Sequence, residues 1–337
     1  MHYRTLGKTG LQVSELGFGC GAVGGLLVRG EYAEMVRTVE RAVAAGINYF
    51  DTARSYGDGQ SETNLGQVLS ELKAEVLVGT KVQLTANEMD DIEGAVVKAV
   101  DDSLRRLQRE RIDLMQLHNP IAPQRNPARG WLTVADVEAA LRAFESLRQQ
   151  GKVRFYGING LGDTVAVHQA VAQGVAQTIQ CCYNLLNPTA GTPAPADFPF
   201  QDYRQLIDRA ADQQMGVIAI RVLAAGALSG TISRHPNAAQ SVAPIASGSD
   251  LATDVEQSHA FQFLVNEGYA GSLVEAAIRF AVSNLKVSTA LVGISSLEQL
   301  EQAIAAAGRG PLPGAAVERI RKVWVDWGAR RRDTAPP

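Results

Sequence analysis

Apolar residues in this chain fall into two patterns: short dense runs of the kind buried strands show, and longer stretches repeating at helical spacing. Ile47, Tyr49 and Phe50 form one dense run that stops at Asp51, Val76 to Thr80 leads to Lys81, and Ile112 to Leu117 leads to His118. By contrast, Met35, Val36, Val39, Ala42 and Val43 recur at helical spacing, with Gly46 just past the end. The same reading places strands at 16–21, 47–51, 76–81, 112–117, 153–158, 177–182, 217–220 and 289–292. Helices are predicted at 31–45, 62–72, 92–107, 134–149, 164–172, 203–213, 255–266, 273–283, 297–307 and 317–327.

Eight strand-then-helix units predict an α/β fold, a parallel (β/α)8 TIM barrel, rather than an open doubly wound sheet. Ahead of it, Tyr3–Gly7 and Leu11–Glu15 flank Lys8-Thr9-Gly10 and read as a hairpin that plugs the barrel floor. An open dinucleotide-binding sheet would carry GxGxxG after its first strand, and Gly17-Phe18-Gly19-Cys20-Gly21 lacks that spacing. Three long loops stand out, at 119–131, 184–199 and 223–250, and the four prolines of the second make it a candidate lid.

Composition narrows the picture only a little. A length of 337 residues with 46% hydrophobic and 20% charged positions suits one barrel domain over 1–329, with 330–337 expected as a disordered tail. A net charge of -3 gives no electrostatic case for nucleic acid or an anionic membrane. Cys20, Cys181 and Cys182 do not form a disulfide framework, and neither a signal core nor a membrane-spanning run is visible, so a cytoplasmic setting is expected. The five histidines show no metal-ligand spacing.

The chemistry lies at the strand ends, the face where barrels build active sites. A carboxylate at the mouth of a buried strand calls for a cation, and Lys81 can meet Asp51. Tyr56 follows on a loop that Gly57 and Gly59 let bend sharply, and an ammonium beside a phenol favours the phenolate. A carbonyl receiving hydride needs a proton donor within reach; Tyr56 can serve, with His118 orienting the oxygen.

Asp51-Thr52-Ala53, Ser55-Tyr56-Gly57, Ser61-Glu62, Lys81, His118 and Gln180 together resemble the signature of the aldo-keto reductase superfamily, and the likeness runs to about Trp327. It implies an NAD(P)H-dependent oxidoreductase that reduces aldehydes or ketones reversibly, with Tyr56 as acid and Asp51, Lys81 and His118 in support. The alternative is a regulatory binding protein of the same fold, with cofactor bound and little turnover. NADPH is the implied cofactor, NADH also being acceptable, and the partner is a small carbonyl substrate. Cofactor contacts are expected from Cys20, Gly21, Asp51, Asn159, Gln180, Arg221, Leu223, Gly226, Gly293, Ser295, Gln299 and Gln302. Substrate contacts are expected from Tyr56, His118 and Trp131. Two departures from the family pattern occur. Asn159-Gly160 stands where Ser-Asn is usual, and Ile220-Arg221-Val222-Leu223 replaces an aromatic residue followed by Ser-Pro-Leu. The segment 293–303 holds no Lys or Arg for a 2′-phosphate, which leaves Arg221 or Arg234 to fold in from the long loop.

Overall fold

The eight short apolar runs pair edge to edge, all parallel, and the last closes on the first. In the computed structural model, which describes residues 1–334, two hairpin strands come first, β1 (Tyr3–Thr5) and β2 (Gln12–Ser14), paired antiparallel. The barrel follows as β3 (Leu16–Gly19), β4 (Tyr49–Asp51), β5 (Leu77–Val82), β6 (Ile112–Leu117), β7 (Val153–Asn159), β8 (Thr178–Cys182), β9 (Gly216–Ile220) and β10 (Val287–Gly293). Closure leaves no strand edge unpaired, and the helices between strands cover the outer face.

Local chemistry fixes where the helices begin. Thr133 and Asp136 form a capping box at Val134–Gln149, and Asp91, Asp163, Ser272 and Ser296 each accept a backbone N–H at the start of a helix. Such caps contribute roughly 0.5–2 kcal/mol each.

The barrel floor is sealed by the hairpin. Leu6, Leu11 and Val13 pack with Tyr49, Leu114, Ile218 and Leu291 in a cluster separate from the main core between strands and helices. Tyr49 fits because its hydroxyl reaches over Gly79 on β5, the partner of Asp51, where a β-carbon would clash with it. With the floor closed by apolar groups, the polar strand ends gather at the other mouth.

Several expectations are corrected. Residues 184–199 do not form a lid: Leu185, Leu186, Asn187, Thr189 and Ala190 are buried, and none of the segment lines the cavity described below. Its polar groups satisfy one another, with Asn184 Oδ1 accepting from the Leu186 and Asn187 amides and Trp324 Nε1 donating to the Leu185 carbonyl. The helix expected over 255–266 is instead Leu251–Ser258, a 3-10 turn at His259–Phe261 and one turn at Phe263–Asn266, because Asp250 caps it early by accepting from the Thr253 amide. The last helix runs Gly314–Thr334, so 330–334 continues a helix rather than a disordered tail, and 335–337 lie outside the described residues.

Candidate active site

Asp51 is the last residue of β4 and Lys81 the penultimate residue of β5, so adjacent parallel strands deliver them to the same mouth. They form a buried ion pair, Lys81 being 1% and Asp51 3% exposed. Two such charges cost several kcal/mol each to desolvate, so every remaining valence has to be filled. It is: Asp51 Oδ2 accepts from Tyr49 Oη at 3.1 Å and Gln180 Nε2 at 2.7 Å. Burial raises the Asp51 carboxyl, against the pull of Lys81, Tyr49 and Gln180. Burial also opposes the charge on Lys81, but Asp51 and Tyr56 outweigh it and hold the ammonium above its ordinary range.

Lys81 has three N–H donors, and all are used. One goes to Asp51, one to the Thr52 carbonyl at 2.7 Å and one to Tyr56 Oη at 3.2 Å. Since Tyr56 Oη accepts there, its own hydrogen is left for the cavity. The loop that carries Tyr56 is fastened below by the Ser61-Glu62 pair. Ser61 Oγ donates to the Cys20 carbonyl, while the fully buried Glu62 accepts from Thr80 Oγ1, next to Lys81, and from Arg106 Nε at 2.6 Å. Gly57 and Gly59 adopt φ of 62° and 87°, and a β-carbon on Gly57 would meet Val28 at 2.6 Å.

His118 follows β6 directly and meets the Tyr56 ring edge-on, centroids 5.8 Å apart. Burial, then the positive charge of Lys81, pushes its pKa down to about 3. At neutral pH the imidazole is therefore uncharged and offers one N–H donor. Asn159 and Gln180 lie side by side on β7 and β8. Asn159 donates through Nδ2 to the His118 carbonyl, leaving its buried Oδ1 with no partner among the described residues. Gln180 spends Nε2 on Asp51, so both side chains offer carbonyl oxygens to whatever lies above them.

A cavity of about 500 Å³ opens over these groups, lined by Asp51, Tyr56, His118, Asn159 and Gln180 at one end. Of the residues expected to contact the cofactor, Gly21, Arg221, Leu223, Gly226, Gly293, Ser295, Gln299 and Gln302 also line it. Two expected residues do not. Cys20 is 2% exposed and its Sγ donates to the Phe18 carbonyl, because alternate residues at a strand end face opposite ways and Gly19 and Gly21 take the cavity side. Trp131 is held away by a tight turn in which its amide and carbonyl both bond Asn126, with the Arg129 guanidinium stacked on its ring.

Leu161 and Ile245, not singled out from sequence, also contribute to the lining, as does the 229–238 segment of the long loop from which Arg234 is a candidate to fold in. That segment crosses to the 21–25 turn through Ala239 N to Val23 O, and to the segment after β10 through Asn237 Nδ2 to Ser295 O at 3.0 Å. It delivers Arg234, whose Nη1 donates to the Ala225 carbonyl at 2.7 Å and whose buried Nε has no partner among the described residues. Burial lowers the pKa of Arg234, as does the nearby charge of Arg221. Neither arginine makes an ion pair among the described residues.

Known proteins share this barrel. The profile described as the Aldo/keto reductase family matches residues 15–325. L-galactose dehydrogenase of Arabidopsis thaliana is 28% identical over 312 residues, covering 90% of this chain and 87% of its own length. The holo form of an aldo-keto reductase from Bacillus halodurans superposes with a TM-score of 0.69 at 26% identity, covering 96% of each chain. An aldo/keto reductase of Klebsiella pneumoniae, solved in complex with NADP and acetate, shares the fold with a TM-score of 0.69 at 20% identity, over 96% of this chain and 95% of its own.

Proposed function

The chain belongs to the aldo/keto reductase family, and from that premise we propose that it reduces aldehydes or ketones to alcohols, reversibly, with NADPH as reductant and Tyr56 as proton donor. The observation that carries this reading is the saturation of Lys81 described above: its third donor meets Tyr56 Oη at 3.2 Å, in a cavity shared with a neutral His118.

A nicotinamide dinucleotide bound in the cavity supplies the hydride, which no side chain can. The residues present fit it. Two carbonyl oxygens, the orphaned Asn159 Oδ1 and Gln180 Oε1, suit the two N–H groups of a carboxamide. Arg234, with an unpartnered Nε beside the glycine-bearing 223–226 and 21–24 segments, suits a phosphate. Ser295, Gln299 and Gln302, at the N-terminal end of the helix Leu297–Gly308, suit the far ribose and its substituent.

Around the substrate carbonyl, His118 donates to the oxygen without being charged, and Tyr56 gives up its proton as negative charge develops there. Lys81 stabilises the phenolate left behind, and Asp51 keeps Lys81 charged and fixed. In the reverse direction the same phenolate takes the proton from an alcohol.

Oxidation of NADPH and of NADH, followed over sugars, aromatic aldehydes and quinones, tests this. Carbonyl-dependent oxidation of both is expected, with a ratio of kcat/KM values below roughly a thousandfold, about 4 kcal/mol, since 293–303 holds no cation. A silent enzyme across all three classes would sink the reading. A far larger preference for NADPH would mean that cations outside 293–303, Arg234 first among them, build a full 2′-phosphate site.

A further inference from the structure

Arg221 is held in a conformation that its residue type disfavours. It directly follows β9 with φ of 56°, in the left-handed region that only glycine and, to a lesser degree, asparagine and aspartate enter readily. The constraint comes from below: the Arg221 carbonyl accepts from Asn184 Nδ2 at 2.9 Å and from the Ala224 amide at 2.7 Å. Asn184 is 1% exposed and locked by its own bonds to the Leu186 and Asn187 amides. A buried frame after β8 thus turns the backbone so that the Arg221 side chain enters the cavity instead of leaving over the rim.

Once there, the guanidinium is poorly used. Of its five N–H donors, one is engaged among the described residues, by the Ala243 carbonyl at 3.2 Å. Arg54 and Arg106 each meet a carboxylate, whereas Arg221 forms no ion pair among the described residues. The cavity it enters is also lined by the apolar Leu161, Ile220 and Ile245. Burial lowers its pKa, and Cys182, Tyr56 and the Asp254 carboxylate push back. Arg234, the other cation, is turned toward Ala225 and Val23 on the side assigned above to the dinucleotide.

We propose that Arg221 is the substrate-selecting residue of this site and that the preferred substrates are carbonyl compounds bearing a carboxylate. A planar guanidinium in a largely apolar wall binds a carboxylate bidentately, and an uncharged group of the same size leaves it desolvated and unpaired. The proposal rests on the carbonyl-reduction reading, replaces the cofactor contact expected of Arg221 from sequence, and adds the chemical class of the substrate.

The test compares 4-carboxybenzaldehyde with 4-nitrobenzaldehyde, and succinic semialdehyde with butanal, in NADPH-dependent reduction. The wild-type protein is expected to favour the acid in each pair by at least about tenfold in kcat/KM, mainly through KM. Arg221→Asn, which removes the charge and tolerates positive φ, is expected to bring that ratio near unity, and Arg221→Lys to restore part of it. NADPH affinity, read from its fluorescence on binding, is expected to change less than about threefold in either variant, less than the tenfold that a lost charged contact would bring. Equal turnover of acid and neutral aldehydes by the wild type overturns the proposal while leaving carbonyl reduction intact. A preference that survives in Arg221→Asn also overturns it, as does a tenfold loss of NADPH affinity with the ratio unmoved, which would place Arg221 on the dinucleotide. Absence of NADPH oxidation with every aldehyde sinks the parent reading itself.

Discussion

Replacing Tyr56 with Phe is expected to lower kcat for carbonyl reduction by at least about a hundredfold, the lower range for a positioned acid. The ring stays; only the oxygen bonded to Lys81 Nζ goes. Ring contacts with His118 survive, so NADPH affinity and KM are expected to move much less than kcat. Stopped-flow oxidation of bound NADPH separates the two effects. A variant that retained wild-type kcat would remove Tyr56 from the chemistry, and one that lost NADPH binding in equal measure would make the hydroxyl a binding group.

The second large effect lies on the other side of the same hydrogen bond. Lys81→Met leaves Asp51 buried with Tyr49 and Gln180 as donors but without its counter-charge. Removing one partner of a buried pair costs about 3–5 kcal/mol, so a loss of that order in unfolding free energy is expected along with loss of activity. The pH dependence has a definite sign. Burial already raises the Asp51 carboxyl, and without Lys81 nothing cationic opposes it, so the folded variant holds a proton that the unfolded chain, with an ordinary value near 4, releases. Stability of the variant therefore falls as pH rises from about 4 through the raised folded value, and its deficit against wild type is expected to be larger at pH 8 than at pH 5. Urea unfolding at both pH values checks this. A deficit that shrinks with rising pH would contradict the burial of an ionisable Asp51.

What could be read in advance was whatever strand geometry dictates. Asp51, Lys81, His118, Asn159 and Gln180 end or adjoin apolar runs, and parallel closure brings such positions to one mouth whatever the loops do. Cys20 shows the same rule applied incompletely, since the period of two that puts Gly19 and Gly21 in the cavity turns its thiol into the core. The loops were opaque for a different reason. Trp131 is withdrawn by a turn set through Asn126 and Pro127, and residues 184–190 are buried by side-chain bonds among Asn184, Asn187 and Thr189. Composition shows neither. Arg234 reaches the cavity only because the 229–238 segment crosses to Val23 and Ser295, contacts more than fifty residues away in sequence.

Hydride delivery to carbon coupled to protonation by Tyr56 is the central claim, and an isotope label tests it most directly. NADPH carrying deuterium on the transferring face of nicotinamide C4 is incubated with enzyme and either 4-nitrobenzaldehyde or 4-carboxybenzaldehyde, and the alcohol is analysed by NMR. The expected product holds one deuterium on the carbinol carbon, with the hydroxyl proton drawn from solvent through Tyr56, and its rate of formation collapses in Tyr56→Phe. An alcohol with no deuterium at that carbon, or one formed at the same rate by Tyr56→Phe, would contradict it.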